Sequence, residues 1–293
     1  MKLSVNFLFA MVMLCHFSWG LQRPVQLEGI AQGTSYSIDA RMPRWVPEHW
    51  TRTQVEAIFD RIDRQVSTYR SDSEISQFNQ YGHLRSIPIS ADFEAMLRFG
   101  MWLYRQSGGY WDGTVHSLNA QTPVAKIGMD QLRLSHHRLS KSDPHLKLSL
   151  NSGAQGYAID QIVIMLKCLG ATEIKVELGG EVRVYSSQNK VYRIGLAQPY
   201  TRYHRILGEV SLCNGAISTS GSDGKGAHIR DPHTGKKVKP PYVAICVIAP
   251  CAMWSDALAT TIFAMPVSKR AAFLRKFPHI RVIEVYQNRI LFY

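Results

Sequence analysis

Two short strand-like runs, residues 173–178 and 181–185, flank the pair Gly179-Gly180. A glycine pair supplies the backbone freedom of a tight hairpin turn, so these runs read as neighbouring antiparallel strands. A doubly wound parallel sheet needs a crossover between strands, usually a helix, and a two-residue turn cannot provide one. The rest of the chain has the same mixed order. Residues 48–66 carry Trp50, Val55, Ile58, Phe59, Ile62 and Val66 as a helical stripe, and residues 90–106 carry Phe93, Met96, Leu97, Met101 and Leu103 before Gly108-Gly109. A third helix is expected over 155–169, ended by Gly170, a fourth from the Trp254 region to about Ala264, and a fifth over 267–277. Residues 33–40, 191–197, 205–213 and 242–249 read as strands, and 281–285 with 289–292 as a closing hairpin. The expected fold class is α+β, a single mixed α/β domain over residues 21–293.

Residues 1–20 read as a secretory signal. Lys2 gives a positive start, residues 5–15 are apolar but too short to span a bilayer, and Ser18 and Gly20 offer small residues for cleavage. A lipoprotein site at Cys15 is disfavoured by bulky Leu14. The expectation is a periplasmic protein; an uncleaved anchor would instead tie it to the inner membrane. Lys and Arg number 34 against 22 Asp and Glu, but they are scattered rather than gathered in runs. That favours anionic ligands or membrane surfaces over nucleic acid. Cys168, Cys213, Cys246 and Cys251 would remain after cleavage. An oxidising compartment permits disulfides among them, spacing does not choose a pairing, and the plain reading for most of them is small buried hydrophobes. Close Cys/His partners of a structural zinc site are missing around Cys246 and Cys251.

Chemistry is concentrated in a few segments. In Trp254-Ser255-Asp256-Ala257-Leu258-Ala259-Thr260-Thr261, a helix puts Asp256 and Thr260 four residues apart on one face. A carboxylate beside a hydroxyl is a pair of hard oxygen donors suited to Mg²⁺ that also holds a phosphate. The alternative is structural, with Asp256 near a helix start and Thr260 turned to its own backbone. Residues 67–76 form a polar loop in which Ser73 can cap a short helix and Tyr69 can offer a flat surface to an aromatic ring. Tyr110, Trp111 and Asp112 follow the Gly108-Gly109 pair; such an aromatic pair serves a core as readily as a cofactor. Asn151–Gly156 leads into a helix, where backbone N–H groups can meet a phosphate, although the Lys of a P-loop is missing. Residues 217–221 read as a further small-residue loop. Finally, His228 and Arg230 share one side of an extended run, a titratable base beside a fixed cation, followed by a turn at Asp231-Pro232.

In their order along the chain these segments resemble the ApbE-like family, the FAD:protein FMN transferases. STYRSDSEISQFN, GGYWDGTV, SGAQGYAID, VELGGEVRV, ISTSG, HIRDPHTG and SDALATT carry the resemblance, which runs from Gly33 to near the C-terminus. It implies a Mg²⁺-dependent envelope enzyme that splits FAD at its pyrophosphate, releases AMP and joins FMN to a Thr or Ser of a target flavoprotein. It further implies that the Asp256 carboxylate, the Thr260 hydroxyl and the Ser152 carbonyl hold the metal. Gln32, Tyr69, Tyr110, Trp111, Asp112, Ser149, Gln155 and Arg230 would follow the FAD, and His228 would take the acceptor hydroxyl's proton. The implied acceptors belong to membrane electron-transfer complexes, of the ion-translocating oxidoreductase or nitrous oxide respiration type.

The chain departs from the family pattern in four places. Ser149 stands where an Asp is common, Gln155 where a Lys or Glu is, Gly113 where Pro is and Gln32 where Met is. Loss of charge at Ser149 and Gln155 is what a non-catalytic flavin-binding or assembly protein would show. Retention of Asp256 and Thr260 argues for catalysis. An FAD pyrophosphatase, with water as acceptor, would use the same residues as the transferase.

Overall fold

A computed structural model describes residues 21–119, 126–197, 206–221 and 229–293. The expected signal, residues 1–20, and His228 lie outside the described residues. The chain begins with a long hairpin, β1 (Gln22–Ala31) and β2 (Thr34–Pro43), paired residue for residue. Its two turn residues, Gln32 and Gly33, have φ of 50° and 77°, the left-handed pair that matches strand twist. Helices α1 (Glu48–Val66), α2 (Glu74–Gln80) and α3 (Ala91–Ser107) follow, with a two-residue strand β3 (Ile87–Pro88) between the last two. The Ser73 hydroxyl accepts the Ser76 N–H at the start of α2, and Gly108, at φ 63°, ends α3. Then come β4 (Leu132–Ser135), β5 (Arg138–Lys141), α4 (Asn151–Cys168), β6 (Glu173–Leu178), β7 (Glu181–Ser186), β8 (Tyr192–Ala197) and β9 (Ile206–Leu212). The chain closes with β10 (Ala216–Gly221), β11 (Ala244–Ala249), α5 (Ala252–Ala264), α6 (Val267–Leu274), β12 (Arg281–Val285) and β13 (Ile290–Phe292).

The main sheet has the order β1-β2-β6-β7-β10-β11-β12-β13, and every neighbouring pair is antiparallel. Both faces of its middle are covered, which β11 shows most clearly: all six residues are buried. Ile245 and Val247 enter the larger core with α4 and α5, while Ala244, Cys246 and Ile248 point the other way. The second face is closed by the β8–β9 ribbon through Leu196, Val210 and Leu212. A strand in this position reads as a continuous apolar run rather than an alternating one. Helices α4 and α5 lie close together. A Cβ on Gly156 would fall 2.3 Å from the Ala252 carbonyl oxygen, so only glycine permits this approach.

The α+β expectation matches this mixed architecture. Three local expectations are revised. Residues 217–221, read as a loop, form β10; its hydroxyls are absorbed by partners on other elements, Ser218 bonding Ser255 at 2.7 Å. The third helix starts at Asn151, but Ser152 (φ −79°, ψ 88°) and Gly153 (φ 131°) break its first turn. Cys168 and Cys213 are exposed rather than buried, and all four described cysteines are free thiols. No described helix is long and apolar enough to cross a membrane.

Candidate active site

The chemistry-bearing segments converge on one cavity of about 940 Å³, at the upper end of the size of small-molecule sites. Eleven of the twelve residues named from the sequence line it: Gln32, Tyr69, Tyr110, Trp111, Asp112, Ser149, Ser152, Gln155, Arg230, Asp256 and Thr260. The twelfth, His228, lies outside the described residues. Residues drawn from one turn, four loops and two helices therefore share one wall system, which no single segment could have shown.

The floor is built by α4 and α5. Asp256 is buried, and its Oδ2 accepts the backbone N–H of Gly153 at 2.9 Å and of Gly156 at 3.2 Å. The helix-start N–H groups expected to meet a phosphate are thus partly taken by a carboxylate. Burial pushes the Asp256 carboxyl up to about 7 against these two bonds, and the nearby Asp160 charge adds to the rise. Four residues on, the Thr260 hydroxyl lies 3.0 Å from Ser220 Oγ of β10. At the break in α4 the ψ of Ser152 turns its carbonyl out of the helical ladder, next to the cavity. Asp256, Thr260 and Ser152 thus bring a carboxylate, a hydroxyl and a carbonyl to one end of the cavity. All three are hard oxygen donors, and Asp256 has no cationic partner among the described residues. This donor set fits Mg²⁺ and not a softer metal.

The walls are aromatic and polar. Trp111 is buried against α3, where a Cβ on Gly100 would lie 2.4 Å from its ring, and its Nε1 has no hydrogen-bond partner among the described residues. Tyr110 packs edge-on to His233 at 4.5 Å between ring centres. Asp112 is turned to its own loop: its Oδ1 accepts both the N–H (2.8 Å) and the hydroxyl (2.7 Å) of Thr114, and burial raises its pKa. Ser149 is fixed by its N–H to the Gly113 carbonyl, 2.8 Å away. A Cβ at Gly113 would stand 2.7 Å from the carbonyl oxygen of Ser149, so the glycine lets the two loops touch. Gln32, in the β1–β2 turn, donates from Nε2 to Asp63 Oδ1 at 3.1 Å, and its Oε1 is buried without a partner among the described residues. Arg230 holds the Gly235 carbonyl through Nη1 at 2.7 Å, which fixes the guanidinium at the cavity wall. Tyr69 stands at the rim, 92% exposed, as a free flat surface.

Sequence reasoning missed three carboxylates on the elements that build this cavity. Asp160 of α4 accepts the N–H groups of Ala252 (2.8 Å) and Met253 (3.0 Å) and pairs with Arg183. Asp63 holds Gln32. Glu181, the first residue of β7, is buried and lines the cavity. Only Glu181 had a sequence cue: it is a charged residue beside Gly179-Gly180, at the end of a strand pointing into the core.

The chain matches the ApbE family over residues 32–284. It is a member of that family. A FAD:protein FMN transferase from Haemophilus influenzae is 30% identical over 84% of this chain and 82% of its own length. The flavin transferase ApbE from Vibrio cholerae superposes with a TM-score of 0.78 at 25% identity, covering 93% of this chain and 97% of its own. The flavinyl transferase ApbE from Pseudomonas stutzeri, in its apo form, gives a TM-score of 0.80, also at 25% identity, over 93% and 94% of the two chains. The mixed α/β architecture is therefore that of the ApbE flavin transferases.

Proposed function

We propose that this member of the ApbE family is a FAD:protein FMN transferase that moves FMN from FAD to a Thr or Ser hydroxyl of an acceptor flavoprotein and releases AMP. Relatives bearing that name along most of their length support the reaction class. The observation that carries the assignment is the buried Asp256, with no cationic partner among the described residues, beside Thr260 at the floor of a large aromatic-walled cavity. Asp256, Thr260 and the Ser152 carbonyl would hold Mg²⁺. When bound, the cation supplies charge neutralisation for the pyrophosphate oxygens as more charge develops there.

The protein's own groups do the rest. Tyr69 offers its free face to a ring at the rim, while Trp111 brings an unsatisfied N–H donor to the inner wall. Gln32 contributes a buried acceptor whose orientation is set by Asp63. Arg230 brings positive charge that a dianionic substrate requires, and Gln155 adds a neutral amide. The acceptor hydroxyl attacks the phosphorus that bears the riboflavin, and the bond from that phosphorus to the AMP half breaks. His228 receives the hydroxyl proton; such base assistance is worth roughly 10²- to 10⁴-fold. Export through residues 1–20 would place the enzyme in the periplasm, with acceptors in membrane electron-transfer complexes of the ion-translocating oxidoreductase or nitrous oxide respiration type.

Intact-mass measurement of an acceptor domain incubated with this protein, FAD and Mg²⁺ tests the reading. The expected result is a gain of one FMN that disappears on chelation. Free FMN and AMP without a gain, across several acceptors, would identify a pyrophosphatase. Whole FAD with no product would identify a flavin-binding protein.

A further inference from the structure

Six carboxylates are buried among the described residues: Glu94, Asp112, Asp160, Glu181, Asp256 and Glu284. Three have a basic partner in contact. Glu94 meets Arg98 and His137, Asp160 meets Arg183, and Glu284 meets Arg270. Asp112 is satisfied by the two Thr114 donors. That leaves Asp256 and Glu181, which line the same cavity. Glu181 is 7% exposed, and among the described residues its carboxylate is stabilised by the backbone N–H groups of Gly180 and of itself. Burial first, and then the negative charge of Asp256, hold its pKa well above the usual carboxylate range. The two arginines of the cavity wall are committed elsewhere: Arg70 to Asp60 and Asp72, Arg230 to the Gly235 carbonyl.

Buried charges in proteins are paired or bind metal, because an isolated one costs several kcal/mol. Two such carboxylates facing one cavity, with no side-chain cation paired to either among the described residues, have the charge of one divalent ion. The neighbouring hydroxyls suit the same ion. Gly180 lies beside Thr219, its own Cβ position 3.8 Å from the Thr219 carbonyl, and the next residue of β10, Ser220, bonds Thr260. The start of β7 and the Thr260 face of α5 therefore both border β10 beside the cavity.

We propose that Glu181 is a second carboxylate of the cation site, acting on the ion held by Asp256 and Thr260 directly or through one water. The proposal rests on the cation reading given above, and it adds a charge from the sheet to ligands that otherwise come from α4 and α5 alone. Glu181 would then set how tightly the ion is held before any substrate arrives.

Mn²⁺ binding to the full chain without FAD, followed by the loss of its free-ion electron paramagnetic resonance signal, tests this. The variant Glu181→Gln keeps shape and removes charge. It should weaken Mn²⁺ binding by about tenfold, the lower end of what supporting residues of metal sites contribute. Its metal-free melting temperature should equal or exceed that of the parent, because a repulsion is gone, and the rise in melting temperature on adding Mn²⁺ should shrink. Glu181→Asp, which keeps the charge, should retain more affinity than Glu181→Gln. Equal Mn²⁺ affinity in parent and E181Q, with loss in Asp256→Asn, would overturn the role of Glu181 and leave the cation reading standing. No Mn²⁺ binding by the parent would overturn both.

Discussion

Asp160 and Asp256 perform the same local task on facing helices. Asp160, on α4, accepts two N–H groups at the start of α5, and Asp256, on α5, accepts two at the start of α4. Each supplies the negative charge that a helix N-terminus favours. They differ in what neutralises them. Asp160 pairs with Arg183 of β7, whereas both backbone bonds of Asp256 fall on Oδ2 and no described cation meets it. The fold therefore shows twice how to bury an aspartate at this helix pair. It completes the arrangement once, away from the cavity, and leaves it open once, at the floor. Helix capping accounts for both residues; the proposed cation would account for why one lacks an arginine.

The largest expected effect breaks the comparison at its functional end. Asp256→Asn keeps an oxygen acceptor for Gly153 and Gly156 but removes the charge. FMN transfer should fall by about 10³-fold, the scale of losing a principal electrostatic contact to a reacting group. The metal-free protein should melt at or above the parent temperature, since a buried charge has been removed. Transfer assays beside thermal melts check this. A variant that loses activity only because it melts early would show Asp256 to be structural, like Asp160.

The second prediction inverts the pattern. Asp160→Ala strands Arg183 in a site where its side chain is 18% exposed and leaves two helix-start N–H groups without acceptors. Breaking one half of such a pair costs about 3 kcal/mol or more. Denaturant unfolding should show that loss, with Mn²⁺ affinity of the folded fraction little changed. A large drop in Mn²⁺ affinity with stability intact would mean that the roles of the two aspartates are not separated as the contacts indicate.

The contrast also marks what could be read from the chain. Asp256 and Thr260 were visible because a helical octet places them on one face, and that inference needs only the 3.6-residue period. The α1 stripe and the hairpin around Gly179-Gly180 were visible for the same reason: local periodicity and local turn chemistry. Asp160 was not visible, because its meaning depends on Ala252, Met253 and Arg183, which are 92, 93 and 23 residues away. Strand β1 was missed because Gln22–Ala31 is an edge strand with Pro24 within it, and its pairing with β2 gives only a one-sided pattern. Strand β10 resembled a loop because Ser218 and Ser220 look solvent-bound until Ser255 and Thr260 are placed opposite them. Glu181 lay within a motif whose glycines explained the turn, and its burial is a property of the sheet as a whole.

The smallest expected effect asks whether an unpaired buried charge is enough to mark a site. Lys141, on β5, is 4% exposed, and its Nζ donates to the carbonyls of Phe78 (3.1 Å) and Leu146 (3.0 Å), the nearby Asp143 carboxylate acting on it only through its charge. Burial pushes its pKa down from 10.5 to about 8. Between these values the unfolded chain binds the proton more readily than the folded one, so this group's contribution makes stability rise with pH from about 8 towards 10.5 and constant below 8. Lys141→Met should flatten that part of the stability curve relative to the parent, measured by denaturant unfolding at several pH values, and leave FMN transfer at neutral pH unchanged. Lys141 lies outside the cavity lining, and its donors are satisfied by backbone oxygens, so its isolation is settled within the fold. Asp256 and Glu181 also accept backbone N–H groups, but unlike Lys141 both line the cavity. If Lys141→Met instead impaired transfer, solitary buried charge would track function across this fold wherever it occurs, and the cavity would lose its standing as the feature that separates Asp256 from Asp160.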